Sequence, residues 1–177
     1  MKSIKEIIKI LLIGWGILCF TGAIVIGCIL LYEFTLGNRP RIGNVGAKDV
    51  RYVLNWCRLG DNRIKEVIHS YQSSRSFTGD HLDAYAIKIS NVSISELTNP
   101  DWCRGDKVEG ILNDALTFTG AWRNQEIPWF PSEKELRSKE IYVYPWSIYY
   151  HGTRPTAVRL IFVRPKDCMI FFISVKT

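Results

Sequence analysis

The sequence predicts an α+β protein: a single N-terminal transmembrane helix, followed by a small domain with an antiparallel sheet and about three helices packed on one face. Three observations support this. An uncharged apolar stretch lies near the N-terminus, helical apolar spacing follows in the middle of the chain, and the C-terminal third is rich in strand-forming residues. With 177 residues, of which 47% are hydrophobic and 23% charged, the chain has the size and composition of one globular domain with an appendage.

Residues 10–32 form the predicted transmembrane helix, which would bind membrane lipid. They carry no charged side chain, and at ~1.5 Å per residue a helix of this length crosses a hydrocarbon core of ~30 Å. Two alternatives stay open. The sequence Val-Ile-Gly-Cys at 25–28 resembles a bacterial lipobox, in which Cys28 would carry the lipid, or the whole segment could be a cleaved secretion signal.

Charge on either side of this segment sets the expected orientation. Residues 1–9 are a short basic tail, and a long domain after the apolar segment can cross the membrane regardless of its charge. We therefore expect the tail in the cytoplasm and residues 47–177 outside it, in the periplasm if the membrane is a bacterial inner membrane. Residues 33–46 contain Gly, Asn and Pro in a pattern typical of a linker.

Apolar spacing predicts three amphipathic helices in the domain. The i, i+3, i+4, i+7 pattern occurs in residues 48–59, in residues 64–71 and in residues 108–116. Asp106 and Glu109 are placed to form a capping box before the third helix. Because the strands follow these helices along the chain, we expect a layer of helices against one face of the sheet.

Four segments predict strands. Apolar residues alternate in residues 84–89, and residues 141–150 are rich in Ile, Val, Tyr and Trp but contain Pro145, which predicts a bulge or an edge strand. Residues 157–163 and 168–175 are nearly continuous apolar runs separated by a short turn. That pattern is typical of a central hairpin buried on both faces.

The cysteines bear on the compartment. Three of the five lie outside the apolar segment. In an oxidising compartment, a bridge between Cys57 and Cys103 would stabilise the fold by ~3 to 4 kcal/mol according to the chain-entropy account. The alternative is that both are buried free thiols. Since no two cysteines have the spacing of a CxxC pair, we expect no metal site.

Aromatic residues are the candidate binding residues. On a strand, alternate positions share a face, so three rings of the segment 141–150 would lie together. Exposed rings can stack on sugars or anchor a protein partner, whereas the alternative is that they pack in the core. The candidate set is Trp102, Trp129, Tyr142, Tyr144 and Trp146.

No catalytic residue is assigned. His81 lies beside Asp80 and Asp83, which could share a proton in acid–base catalysis, but the sequence has no GxSxG, HExxH, P-loop or GxGxxG motif. We expect no cofactor and no nucleic-acid partner. The sequence therefore predicts a membrane-anchored, non-enzymatic binding module that is envelope-associated or toxin-neutralising, with a protein or an envelope polymer as partner. A tethered hydrolase using His81, or an accessory subunit of another membrane protein, are the alternatives.

Overall fold

The structure is a computed structural model that describes residues 4–32, 39–43 and 45–177. The chain divides into two compact units, Met1–Arg39 and Pro40–Thr177. Within the first unit, helix α1 covers Ile4–Tyr32. Its length and composition make it a candidate transmembrane segment or signal sequence. The helix includes part of the basic tail, because Lys and Glu near an end are as compatible with helical backbone as the apolar residues that follow.

The second unit contains a sheet and three further helices, joined by short 3₁₀ turns. The helices are α2 (Arg51–Trp56), α3 (Gly110–Glu126) and α4 (Glu133–Leu136). The strands are β1 (Arg41–Ile42), β2 (Ile64–Gln72), β3 (His81–Ile89), β4 (Cys103–Arg104), β5 (Tyr142–His151), β6 (Arg154–Arg164) and β7 (Met169–Lys176).

All strand pairs are antiparallel, and the order across the sheet is β1-β2-β3-β7-β6-β5-β4. The predicted hairpin is confirmed as β6 and β7, which occupy central positions as expected. The strand predicted at 84–89 is confirmed as part of β3, which lies between β2 and β7. In β5 the register shifts between Pro145 and Ser147, so the predicted bulge is confirmed.

Helices cover both faces of the sheet, which corrects the prediction that they pack on one face. The central strands are buried on both sides, so each face needs its own cover. We call the two sides the α3 face and the α2 face. The core of the α3 face includes Ala84, Leu116, Leu136, Leu160, Phe162 and Ile173. The core of the α2 face includes Val53, Leu54, Tyr85, Trp102, Ile161 and Phe172.

The helix predicted for residues 64–71 is wrong, because this segment is strand β2. Two irregularities interrupt its pairing with β3, one between Ile64 and Glu66 and one between Val67 and His69. Each irregularity adds one residue to β2, so that across it two consecutive side chains on the same face are three positions apart instead of two. The first irregularity therefore places Ile64 and Val67 three residues apart on the α2 face, while Tyr71 belongs to the α3 face. The apparent helical spacing combines apolar residues from the two faces of the strand.

The other two predicted helices are present with different ends. The first comprises a 3₁₀ turn at Ala47–Val50 and then α2. The second is α3, but its N-cap is Glu109 and no side-chain cap forms. The Asp106 carboxylate accepts hydrogen bonds from the Arg104 guanidinium instead, so the predicted capping box is wrong.

Cys57 and Cys103 are free thiols, so the predicted bridge is not formed in this structure. The Cys57 sulfur is buried beneath α2 and donates to the Leu54 carbonyl oxygen at 3.5 Å. Burial raises the pKa of Cys57 to about 12. The Cys103 thiol lies against the carbonyl oxygens of Arg104 and Lys107. Cys57 is thus a buried free thiol, as in the alternative, whereas Cys103 is free but only partly buried.

Candidate functional site

The structure brings four of the five candidate aromatic residues to the α2 face. Trp102 is buried there, with its ring 5.2 Å from that of Tyr144, and Tyr142 packs against the same core. Trp146 lies further along β5 and is 39% exposed. Trp129 is on the α3 face, where its ring stacks on His69 at 5.1 Å, so it does not belong with the others.

Trp146 stacks on Trp56 of α2. The ring centroids are 4.8 Å apart and the planes differ by only 5°. Trp56 in turn contacts Tyr52, one helical turn earlier, at 4.5 Å, and both contact Phe172 of the central strand β7. These rings, together with Tyr85, which stacks on Phe172 at 5.6 Å, form what we call the aromatic cluster: Tyr52, Trp56, Tyr85, Trp146 and Phe172.

Beside the aromatic cluster, a row of polar residues crosses five strands of the sheet. Each member lies directly opposite the next in the strand register. Alternation along β3, β6 and β7 places the row on the α2 face, since the residues two positions away belong to that core. We call it the polar row: Gln72, Asp83, Ser174, Arg159 and Ser147.

Asp83 is the acidic member of the polar row and is 8% exposed. One carboxylate oxygen accepts a hydrogen bond from Arg75 Nη2 at 2.6 Å, whereas the other, Oδ1, is buried without a partner. Nearby, Gln72 Nε2 donates to the Tyr85 hydroxyl at 2.9 Å. Burial raises the pKa of Tyr52 and of Tyr85, and the Asp83 charge adds to both shifts. Both phenols therefore stay protonated.

Arg159 is the basic member and is half-buried. Its register partners on either side are Ser147 and Ser174, both neutral. Among the residues that the structure describes, no carboxylate lies within 4.0 Å of its guanidinium. The Ser147 hydroxyl is buried and also lacks a hydrogen-bond partner. Arg159 and Ser147 thus form a donor-rich position that can bind an anionic group.

His81 does not form the acid–base pair that the sequence allowed. Its Nδ1 lies 2.8 Å from the Gly79 carbonyl oxygen, and its Nε2 lies 3.0 Å from Ser174 Oγ. A carbonyl oxygen only accepts, so Nδ1 donates to it, and in the neutral ring Nε2 accepts from the serine hydroxyl. Asp83 is paired with Arg75. Asp80 accepts from Thr78 Oγ1, and the hydrogen bonds it makes lower the pKa of its carboxyl group.

This Ser174–His81 contact resembles a nucleophile and its base, but Ser174 is only 4% exposed and lies within a central strand. A substrate carbonyl would have to enter the sheet to reach it. Across the described part of the chain, no group of three or more His, Cys, Asp or Glu residues could hold a metal ion.

Sequence reasoning missed Tyr52, Trp56 and Arg159. The two α2 residues lie in a predicted helix, on the side that its apolar spacing leaves outward, and nothing in that helix marks its contact with β5. The sequence does contain a signal for Arg159: this residue interrupts the apolar run 157–163, whose composition predicts a central strand. A charged residue facing inward from a central strand is uncommon unless it has a partner or a function.

Comparison of the chain with protein-family models, with curated proteins and with solved structures gave no match.

Proposed function

We propose that this protein is a membrane-anchored, extracytoplasmic, non-enzymatic binding module that holds a protein or an envelope polymer at the α2 face. The observation that carries the proposal is the stack of Trp146 on Trp56 at the edge of the sheet, with Trp146 39% exposed. A partner that covers the remaining ring surface would bury a large aromatic area that is already held in one orientation.

Two further features support this function. Tyr149, which is 58% exposed, follows on the same edge strand and extends the aromatic surface. Arg159 lies on the neighbouring strand β6, opposite Ser147. Trp, Tyr and Arg are the residues that most often dominate the binding free energy of interfaces. The three types occur together here at the margin of one sheet face.

The anchor in this proposal is α1, which is long and apolar enough to cross a membrane. The short basic tail favours a cytoplasmic N-terminus and a domain on the outer side. The hydrolase alternative is less well supported, since the His81 ring contacts the Gly79 carbonyl oxygen and the Ser174 hydroxyl instead of a carboxylate, and Ser174 is buried. The accessory-subunit alternative would use the recurrence of Cys19, Ala23 and Gly27 along α1, a spacing that places small residues on one helix face.

Site-directed photocrosslinking in living cells tests the proposal. A photoreactive amino acid at Tyr149 of the full-length chain should give a discrete crosslinked product. Trp146→Ala in the same chain should abolish that product, because the ring supplies the contact surface. The matched control is Phe77→Ala, which removes another exposed ring, 91% exposed, from the loop between β2 and β3. A crosslink that persists in Trp146→Ala, with wild-type expression, would overturn the proposed site.

A further inference from the structure

We propose that Arg159 and Ser147 bind a carboxylate group of a polypeptide partner, while the apolar part of the same ligand segment lies against Trp146. This inference rests on the proposed function and names the chemistry that the α2 face recognises. The carboxylate can be a chain terminus or an Asp or Glu side chain, and the two sources are separated by the experiment below.

The first argument is the missing counter-charge of Arg159. Other arginines of the domain show the usual solution, with a carboxylate oxygen at 2.6 Å from Arg63 and from Arg75, and at 2.8 Å from Arg164. Arg159 is half-buried on a central strand, where a charge loses part of its hydration, yet no described carboxylate lies within 4.0 Å of it. An anionic group from a ligand would supply the missing partner.

The second argument is the unpartnered Ser147 hydroxyl directly opposite Arg159. A buried hydroxyl without a hydrogen bond is costly, and most such groups have a partner in the functional state. The guanidinium offers a planar fork of N–H donors and the hydroxyl offers one more. Two carboxylate oxygens, each with two lone pairs, match this set of donors.

The third argument concerns Asp83, the acidic member of the polar row. It lies two strands from Arg159, and at ~4.8 Å per strand the two Cα atoms are ~10 Å apart. Its carboxylate is paired with Arg75 at 2.6 Å, and Ser174 lies between it and Arg159. The acidic member of the row therefore does not neutralise Arg159, and a ligand carboxylate would supply that counter-charge.

The bulge at Pro145 places an apolar contact surface next to the proposed carboxylate site. Two adjacent residues, Trp146 and Ser147, both belong to the α2 face: one stacks on Trp56 and the other lies opposite Arg159. Without the extra residue, alternation would send them to opposite faces. A ligand whose carboxylate reaches Ser147 therefore has its neighbouring atoms beside the Trp146 ring.

Three synthetic peptides test the inference with the full-length chain in detergent micelles. The first is acetyl-Ala-Ala-Ala-Phe with a free terminal carboxylate, the second is its terminal amide, and the third is acetyl-Ala-Glu-Ala-Phe-amide. Binding is followed by the NMR shift of the Trp146 indole N–H. Binding of the first peptide alone indicates a chain terminus, and binding of the third indicates a side-chain carboxylate. The second peptide, without a carboxylate, should not bind.

Variants of Arg159 give the decisive comparison. Arg159→Gln should weaken peptide binding about tenfold or more, as expected when a hydrogen bond to a charged group is lost. Arg159→Lys, which retains the charge but not the fork, should restore part of the affinity. Arg154→Gln, at an exposed position of the same strand, is the matched control and should bind normally. Thermal melting of each variant reports whether it has folded.

The inference is wrong if neither carboxylate peptide binds, if the amide binds equally well, or if folded Arg159→Gln binds like wild type. The cellular crosslink at Tyr149 separates this failure from failure of the proposed function. Loss of the crosslink in Trp146→Ala but not in Arg159→Gln would support the proposed binding site and contradict recognition of a carboxylate by Arg159. Retention of the crosslink in both variants would contradict both the binding site and the carboxylate recognition.

Discussion

Trp146 and Phe162 lie on neighbouring strands and separate surface from core. Phe162 is fully buried on the α3 face, with its ring 5.8 Å from that of Phe130. Phe162→Ala should lower the free energy of unfolding by ~3 to 5 kcal/mol, a large part of the ~5 to 15 kcal/mol of a small domain. Trp146→Ala should cost about 1 to 2 kcal/mol, mostly from the lost stack on Trp56.

Thermal denaturation of the two variants checks this difference. We expect Phe162→Ala to be unfolded or strongly destabilised and Trp146→Ala to melt near the wild type. Melting of Trp146→Ala as far below wild type as Phe162→Ala would show that the ring is structural, and its loss could then no longer report on a partner.

Glu96 gives a prediction of pH dependence. Its carboxylate accepts a hydrogen bond from Arg63 Nη2 at 2.6 Å, and this contact, with the hydrogen bond from the Ser93 backbone N–H, lowers the pKa of Glu96 from 4.5 to about 2. A carboxyl group with a lowered pKa in the folded state stabilises the fold at pH values above its unfolded pKa, and this contribution is lost as the pH falls towards 2. Glu96→Gln should therefore be less stable than wild type above pH 5.

The difference in melting temperature between wild type and Glu96→Gln should shrink steadily as the pH falls from 5 to 2. Glu66→Gln serves as the control, because Glu66 is exposed on β2. A difference that stays constant over this range would mean that the charge of Glu96 contributes nothing to stability and that the variant differs only in the packing of its side chain.

At the residue scale, sequence alternation located most of the aromatic surface but not its charged neighbour. Tyr142, Tyr144 and Trp146 share a face, as a strand requires. Trp129 does not, because it lies in the turn between α3 and α4, where strand alternation carries no information. The sequence does not single out Arg159, because one charged residue hardly changes the apolar character of a strand. Only the fold shows that its side chain lies on a covered face of the sheet, where a charged residue indicates a function.

At the level of elements, the close packing of Gly105, just after β4, against the segment 136–141 requires glycine. Gly105 donates its backbone N–H to the Ile141 carbonyl oxygen at 2.8 Å. A Cβ at this position would clash with the Leu136 carbonyl oxygen and lie 2.7 Å from that of Ser138. Gly105→Ala should therefore destabilise the domain by ~1 to 3 kcal/mol, the usual cost of overpacking.

Urea denaturation of Gly105→Ala measures this cost. Gly120→Ala is the control, since a Cβ there would lie 3.4 Å from the end of the Arg123 side chain and helix α3 tolerates Ala well. Equal stability of Gly105→Ala and wild type would show that α4 can move away from β4 without penalty.

Element types were predictable where one local signal dominated. The strands β3, β6 and β7 carry long apolar runs, and α3 keeps its helical spacing over several turns. In these elements, the tertiary contacts agree with the local secondary-structure preference of the sequence. In β2, by contrast, a bulge and apolar residues on both faces produced a helical spacing in an extended chain. The start of α3 was misplaced because Asp106 pairs with Arg104 two residues earlier, a contact that competes with capping.

At the scale of the whole molecule, the first test is orientation. We expect the domain at 40–177 to lie outside the cytoplasm, because the basic tail precedes the apolar segment. Protease added to intact spheroplasts of an expressing bacterium should digest the domain, while a cytoplasmic marker protein should survive. Digestion only after permeabilisation would reverse the orientation and remove the extracytoplasmic part of the proposed function.

The distribution of helices over both faces was not predicted, although its cause is visible in the sequence. Strands that are apolar on both sides cannot leave one side in water, and the helix at the start of the domain is the nearest segment able to cover the second side. Chain order misled here: helices that precede the strands need not share a layer. This arrangement is also what brings Trp56 over β5.

The outermost strands of the sheet, β1 and β4, are short, and this bears on whether the sheets of neighbouring copies can associate edge to edge. Among the described residues, β1 pairs with Tyr71 and Gln72 of β2, and β4 pairs with Tyr142 and Val143 of β5. Within that part of the chain, much of the outer edge of β2 and of β5 therefore has no neighbouring strand. Bulges on both strands and exposed charge on β2 oppose edge-to-edge joining of sheets. If α1 anchors the protein as proposed, copies held in one membrane plane reach high local concentrations, and we expect the bulges and the exposed charge to keep neighbouring domains from aggregating there.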